Sequence, residues 1–588
     1  MDRWVFFERN LLALSAHNPE LCSRLSLAET TQGRYKFLES LSGELMPALV
    51  DRSGSAHALH STVDPVREAE RIVSTLQKDR NGLLAEGFVI FLGLGAGFAP
   101  LAALNNSGVS HVLVIDYDIN GIAELFCARD YIALLGDPRL TLLVDPPPGL
   151  IESTVLELYR PALCGGIRAL PLRARTDLDK QNFGAAGDAI QQTIEKVSAD
   201  YSVQAYFGMR WFANIIRNLG TAQRQNRSAP PIREAAICAA GPSLDGQISL
   251  LAQQKDKTGG QGLFVISADT ALPALLHGGV RPDAVVSIDC QHISYYHFMG
   301  MDCADIPLFL DIASPPMLPG FSTHPFFFSG GHPLAAYITQ EWRPLPLLDT
   351  SGGNVTYACL SLAESLGAQR ITVYGADFSY PAGRVYARGT YIFPFFERRQ
   401  ERRSPLEAQL SSFLYRSPFL PSSGETVPLY ETAALRLYRT SFERKASAME
   451  AHVSAAPGPG IPLSIRGKSP SLSPNAHSRI FSLFAPGKMV MNADEFLEQY
   501  RRDIAALPVF SNANGTVGGI AGGAYLRNLG ADERRVFATL LPQTAAIRHR
   551  RPELAAPELI EAVKNYCVNE IDKVLNGGLP KNLKSGSR

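Results

Sequence analysis

From about residue 85 the chain alternates short apolar runs with polar stretches at helical spacing. "GFVIFL", the turn "GLGAG", "FAPLAALNNSG" and "HVLVID" read as strand, turn, helix and strand. That order is a βαβ unit, and it implies a parallel sheet covered by helices. A second and longer series of apolar runs follows: "EAAICAA", "GLFVIS", "DAVVSID", "IPLFLDI", "HPFFFS", "LPLLD" and "RITVYGAD". Helical patterns at Leu244-Ile248-Leu251 and at Val355-Cys359-Leu362-Leu366 separate some of them. The fold class expected is α/β and multidomain, with two Rossmann-like, doubly wound parallel-sheet units followed by a helical C-terminal region.

The boundaries that follow are a mixed N-terminal region over 1–80, a Rossmann-like domain over 81–204, a central α/β domain over 205–450, a linker over 451–490 and a helical region over 491–588. "FGMRWFANIIRNL" places Trp211, Ile215 and Asn218 on one helical face, in a polar helical zone that reads as a connector. "VSAAPGPGIPLSIRGKSPSLSPNAHS" is rich in Pro, Ser and Gly, which suits a surface connection. Asn492 or Asp494 is able to cap the helix in "NADEFLEQYRRDIAAL", and the tail "KNLKSGSR" reads as frayed.

Composition narrows the class of protein. At 588 residues the chain is too long for one core, and 46% hydrophobic with 19% charged residues suits folded domains. The formal net charge is zero, so no basic excess points to nucleic acid. Eight scattered cysteines without C-x-x-C spacing read as reduced thiols and suggest a cytoplasmic location. The start, "MDRWVFFERNLLAL", is broken by charges and lacks a signal-peptide core. "GFVIFLGLGAGFAPLAAL" is about long enough to span a bilayer, but its glycines argue for strand and turn.

Two glycine-bearing turns are candidate ligand sites. Asp116 ends the strand after "GLGAG", at the spacing of a ribose-binding acid; the same glycines also serve close helix–strand packing, and both readings stand. In "AAGPSLDG", Gly241 permits a tight bend, Pro242 suits a first helical turn and Ser243 adds a hydroxyl beside free helix N–H groups. Such a turn serves as an anion cradle or as a plain strand-to-helix link. Asp269, Asp289 and Asp377 stand just past further strands, on the edge where open parallel sheets bind ligands. Ser351, Gly352, Gly353 and Asn354 repeat the device before the helix that starts at Val355.

Taken together, these motifs resemble the motility accessory factor (Maf) family of flagellin glycosyltransferases. The resemblance rests on "AAGPSLDG", Pro282-Asp283 with Ser287-Ile288-Asp289, "SGGNVTYACLSLAESLG" and "VYGADFSYPAGRVYARGT", and covers about 205–445. That family's central domain is similar to CMP-sialic acid sialyltransferases and to 6-hydroxymethylpterin diphosphokinases. Ala240 stands where the sialyltransferases carry Asn, and Tyr386 where many relatives carry His.

The resemblance implies transfer of pseudaminic or legionaminic acid from its CMP-activated form to Ser or Thr of flagellin, with no further cofactor, metal or membrane span. Gly241, Pro242, Ser243, Asp269 and Tyr386 are then nucleotide- or sugar-binding residues, and Ser351 to Asn354 hold the sugar carboxylate. Asp289, His292 and Asp377 are candidates for base or orienting roles; His292 also suits an ordinary surface or core position, and Asp269 a helix cap. "FFERRQERRS" reads as a lid over a bound anion or as a solvated face. The C-terminal helices either grip flagellin or only pack on the central domain. The alternatives are an ATP-dependent pterin diphosphokinase, with magnesium on the aspartates, and a non-enzymatic flagellin-binding factor.

Overall fold

The computed structural model describes residues 3–30, 33–51, 53–77, 86–257, 262–420, 428–466, 484–508, 525–526 and 528–577. The chain divides into two compact units, 1–208 with 506–565 and 209–505 with 566–588. Among the described residues no helix is long and apolar enough to cross a membrane.

The first unit opens with helices Arg3–Ser15 and Pro19–Ser26 and a small antiparallel sheet of β1 (Tyr35–Glu39), β2 (Leu45–Val50) and β3 (Ala56–Ala58). Its main sheet has four parallel strands in the order β6-β5-β4-β7, where β4 is Phe88–Leu92, β5 His111–Asp116, β6 Leu140–Val144 and β7 Ile167–Pro171. Every side chain of β4 and β5 is buried, as expected of central parallel strands. The apolar run 87–104 is therefore strand, turn and the short helix Phe98–Leu104.

The connector is a single helix, Lys180–Ala222, 43 residues long, and the unit division falls within it. The second unit holds seven parallel strands in the order β12-β11-β10-β9-β8-β13-β17. They are β8 (Glu234–Cys238), β9 (Leu263–Ala268), β10 (Ala284–Ser287), β11 (Leu308–Asp311), β12 (Pro325–Phe328), β13 (Arg370–Tyr374) and β17 (His452–Ala455). From β8 the chain winds outward through β9 to β12, then returns to the other side of β8 as β13. The topological switch point lies between β8 and β13.

Two segments differ from the sequence reading. "LPLLD" is no strand; it makes one parallel bridge, Ser329 with Leu347, because Pro344 and Pro346 lack the donors a ladder needs. The expected linker begins inside the sheet: His452–Ala455 pairs with β13, and Ile461 N donates to Asp377 O at 3.1 Å. Much of the remaining linker, 467–483, and the tail lie outside the described residues.

A small subdomain follows β13. It carries the antiparallel strands β14 (Tyr380–Pro381), β15 (Phe419–Leu420) and β16 (Leu429–Thr432), and helices Ile392–Glu397 and Leu406–Leu414. Val385, Ile392 and Leu414 form its own buried core, ringed by Tyr386, Tyr391, Phe396 and Phe413. Helix Ala493–Ala506 begins at Asn492, whose side chain accepts Glu495 N at 2.8 Å, so the cap is Asn492 rather than Asp494.

Candidate functional site

Gly241 is required by close approach. Its N–H donates to Gly375 O at 2.8 Å, and a Cβ there would stand 2.4 Å from that oxygen and 2.3 Å from Asp377 Oδ2. Gly375 returns the constraint: its φ is +67°, and a Cβ would meet Ala239 O at 2.1 Å. The loops after β8 and β13 therefore grip each other across the switch point.

The helix Leu244–Lys257 starts there, and the positive end of its dipole attracts negative charge. Ser243 N donates to Asp377 Oδ2 at 2.8 Å, so the protein's own carboxylate occupies part of the anion cradle expected from the sequence. Ser243 and Asp377 are both buried, as is Pro242. Burial pushes the Asp377 carboxyl up, against the pull of its hydrogen bonds from Ser243 and Gly460. Gln247 locks the same corner, accepting Gly375 N at 2.8 Å and donating to Pro457 O at 2.9 Å. Gly458 and Gly460 lie against Ser243 and Asp377 so closely that neither has room for a Cβ. Asp377, named from sequence as a base or orienting group, is thus tied into the fold.

Two strands along, Asp269 and Asp289 stand past β9 and β10. Asp269 Oδ2 accepts Ser287 Oγ at 2.7 Å, and its Oδ1 accepts Thr270 N at 2.7 Å and Thr270 Oγ1 at 3.1 Å. Asp269 opens the turn Asp269–Ala271 and is buried. Asp289 accepts Gln291 N at 2.8 Å and Gln291 Nε2 at 3.3 Å. Burial raises its carboxyl above the ordinary range, opposed by Gln291 and reinforced by the Asp269 charge.

The two histidines of the next turn differ in burial. His292 is exposed, at the start of the 3₁₀ turn His292–His297, its ring stacked near Tyr295. His297, at the other end of the turn, is the buried one, and both Asp269 and Asp289 act on it electrostatically. Its ring meets Tyr391 edge-on at 4.6 Å, and Tyr296 meets Phe395 at 5.5 Å. The subdomain after β13 thus lays its aromatic side on this turn, with Tyr386 and Tyr391 6.5 Å apart between centroids. Burial raises the phenols of both tyrosines, and Asp269 adds to the effect. Arg398, Arg399, Arg402 and Arg403 are exposed, and Arg399 lies over the Phe395 ring at 3.8 Å.

Asp311, absent from the sequence-derived set, ends β11 on the same edge; burial pushes its carboxyl up to about 6, against hydrogen bonds from Ala313 and Gly330. Ser351, Gly352, Gly353 and Asn354 lead into the helix Val355–Ser365, which Asn354 caps. Ser351 N donates to Asp349 Oδ1 at 3.0 Å and Asn354 Oδ1 accepts Tyr357 N at 3.0 Å. Gly352 is needed because a Cβ would meet the Tyr357 ring at 2.2 Å, and Gly353 because φ is +72°. The rim is held from behind by the long helix. Asn214 Nδ2 donates to Cys290 O and Ala313 O at 3.1 and 2.8 Å, and Asn218 Nδ2 to Ile312 O and Ser314 O, both at 2.8 Å.

In the first unit the "GLGAG" turn is filled by its own chain. Asp116 accepts Leu94 N at 2.6 Å, Tyr117 N at 2.7 Å and Arg175 Nη2 at 3.1 Å. Ala96 N donates to His60 Nε2 at 2.8 Å, and Gly95 leaves room for that ring. These contacts match the packing reading. Among the described residues no three His, Cys, Asp or Glu side chains gather to hold a metal.

Residues 210–383 match the family described as 6-hydroxymethylpterin diphosphokinase MptE-like. An uncharacterized protein of Treponema pallidum (strain Nichols) is 40% identical over 118 residues, 20% of this chain and 42% of its own length. The chain thus spans less than half of that relative. A second is 38% identical over 169 residues, 28% of this chain and 78% of its own length. The structure of a Maf glycosyltransferase from Magnetospirillum magneticum AMB-1 aligns with a TM-score of 0.59 and 13% identity, over 100% of this chain and 98% of that one. At that identity the likeness establishes the fold. The chain belongs to one family with the second Treponema pallidum protein, carries an MptE-like central domain and has the fold of a Maf glycosyltransferase.

Proposed function

We propose that this chain is a cytoplasmic glycosyltransferase that moves a nonulosonic acid, pseudaminic or legionaminic, from its CMP-activated form to Ser or Thr of flagellin. The observation that carries the reading is the rim of the seven-stranded sheet. There Asp269 and Asp289 stand at neighbouring strand ends, one and two strands from β8, near a turn on which Tyr391 of the subdomain packs. Carboxylates at such an edge accept sugar and ribose hydroxyls, and aromatic rings exclude water from the reacting bond.

The Gly241–Ser243 turn would lie beside the nucleotide through its backbone, with Asp377 holding the turn in shape. Ser351 N and Asn354 Oδ1 are engaged within the cap, and the hydroxyl of the exposed Ser351 is the group there that would meet the sugar carboxylate. The Maf fold over the whole chain supports the reading further.

Intact-mass analysis of flagellin made with and without this chain tests it. A mass increment of one nonulosonic acid per modified site, present only with the chain, is expected; identical masses would overturn the proposal. The match of residues 210–383 favours a second reading, diphosphoryl transfer from ATP to a pterin. Calorimetry separates them: CMP binding without Mg-ATP binding supports glycosyl transfer, and the reverse supports the diphosphokinase.

A further inference from the structure

Every carboxylate on this rim already has donors. Asp269 is committed to Ser287 and Thr270, Asp289 to Gln291, Asp377 to Ser243 and Asp311 to Ala313. His297 differs. It is 6% exposed, and among the described residues its Nδ1 has no hydrogen-bond partner. An unpaired polar atom in such a place is costly unless it has a use.

Its surroundings suit one use. The turn Asp269–Ala271 packs against the turn that ends in His297. The charged and titratable groups facing the ring are Asp269 from that turn, Asp289 from the end of β10, and Tyr391 from the covering subdomain. Burial holds the imidazole neutral, while the two carboxylates favour the imidazolium once a proton arrives.

Resting on the glycosyl-transfer reading, we propose that His297 is the catalytic base. The acceptor hydroxyl oxygen bonds to the anomeric carbon as that carbon's bond to the phosphate oxygen breaks, and CMP leaves with the electron pair. The hydroxyl proton passes to the His297 imidazole, whose new charge Asp269 and Asp289 balance.

The test uses the full chain with a CMP-nonulosonic acid and flagellin. For H297N the expected result is a fall in kcat of about 100-fold or more with donor KM within about twofold, the size of a lost general base. CMP affinity by calorimetry should be unchanged, and added imidazole should restore part of the rate to H297A. Transfer by H297N within about tenfold of the parent would overturn His297 alone. Absence of transfer by the parent chain would overturn the reading on which it rests, and the base with it. Should H297N fail to fold, the parent's kcat profile decides: its acidic limb should move to lower pH in D289N, where one carboxylate that holds the imidazolium is gone. A limb that stays in place would overturn the assignment.

Discussion

The amide of Ser243 donates to the carboxylate of Asp377 at 2.8 Å, across 134 residues of sequence and between the two strands that flank the switch point. An internal anion thereby satisfies a helix N-terminus that a ligand would otherwise fill. Replacing Asp377 by Ala leaves the buried Ser243 N–H without its acceptor. D377A should lose about 1–3 kcal/mol, the cost of a buried unsatisfied donor, read as a lower midpoint in denaturant.

G241A should be costly for a steric reason alone, since its φ is not positive. The added Cβ would sit 2.3 Å from Asp377 Oδ2 and 2.4 Å from Gly375 O, so both loops must move apart. A loss of about 1–3 kcal/mol is expected, the usual cost of overpacking. A thermal melt of G241A beside G246A, where a Cβ meets open space, checks it.

Asn214 separates packing from hydrogen bonding. N214A leaves the carbonyls of Cys290 and Ala313 without their buried donor, at about 1–3 kcal/mol each. N214D has nearly the same shape but points a carboxylate oxygen at those carbonyls, so it should be worse than N214A. Faster amide exchange in 289–291 and 312–314 should accompany both. Equal stability for N214A and N214D would show that the clamp works by shape only.

Asp311 and His60 predict opposite pH trends. Burial raises Asp311 from the ordinary 3.8 to about 6, so the folded state prefers the protonated acid. Its contribution is complete below the unfolded value and is lost as pH rises through about 6. At 1.36 kcal/mol per pH unit the swing is about 3 kcal/mol, and D311N should gain on the parent by that amount between pH 4 and pH 8.

His60 runs the other way. Burial first, then the Arg129 charge, lowers it from 6.5 to about 4, and its neutral Nε2 accepts Ala96 N. Its contribution is present above the unfolded value and is lost as pH falls through about 4, again by about 3 kcal/mol. H60Q should flatten that fall. A parent curve equally steep with and without His60 would show that the loss comes from other groups.

The two parallel sheets were legible because central strands must be apolar on both faces: "FVIFL", "HVLVID" and "EAAIC" carry that pattern without help from neighbours. The strand ends Asp269, Asp289 and Asp377 were legible for the same reason, since a polar residue closing such a run marks the sheet edge. β17 was not. His452–Ala455 is a four-residue edge strand soon followed by proline and glycine, and it becomes a strand only because β13 offers an unpaired side.

Residue types and spacing alone determined the α/β class, the position of the rim and the glycines at its turns. Tertiary structure alone decided which of these groups is free to act. His292 and His297 are equivalent in a string of letters, yet one faces water and the other is buried edge-on against Tyr391, within the field of two carboxylates. Asp377 and Asp289 are equally polar in sequence, but only the first is taken up by a helix N-terminus 134 residues away. Burial and long-range hydrogen bonds set the chemistry of such groups, and both depend on chain segments that meet only when the sheet closes.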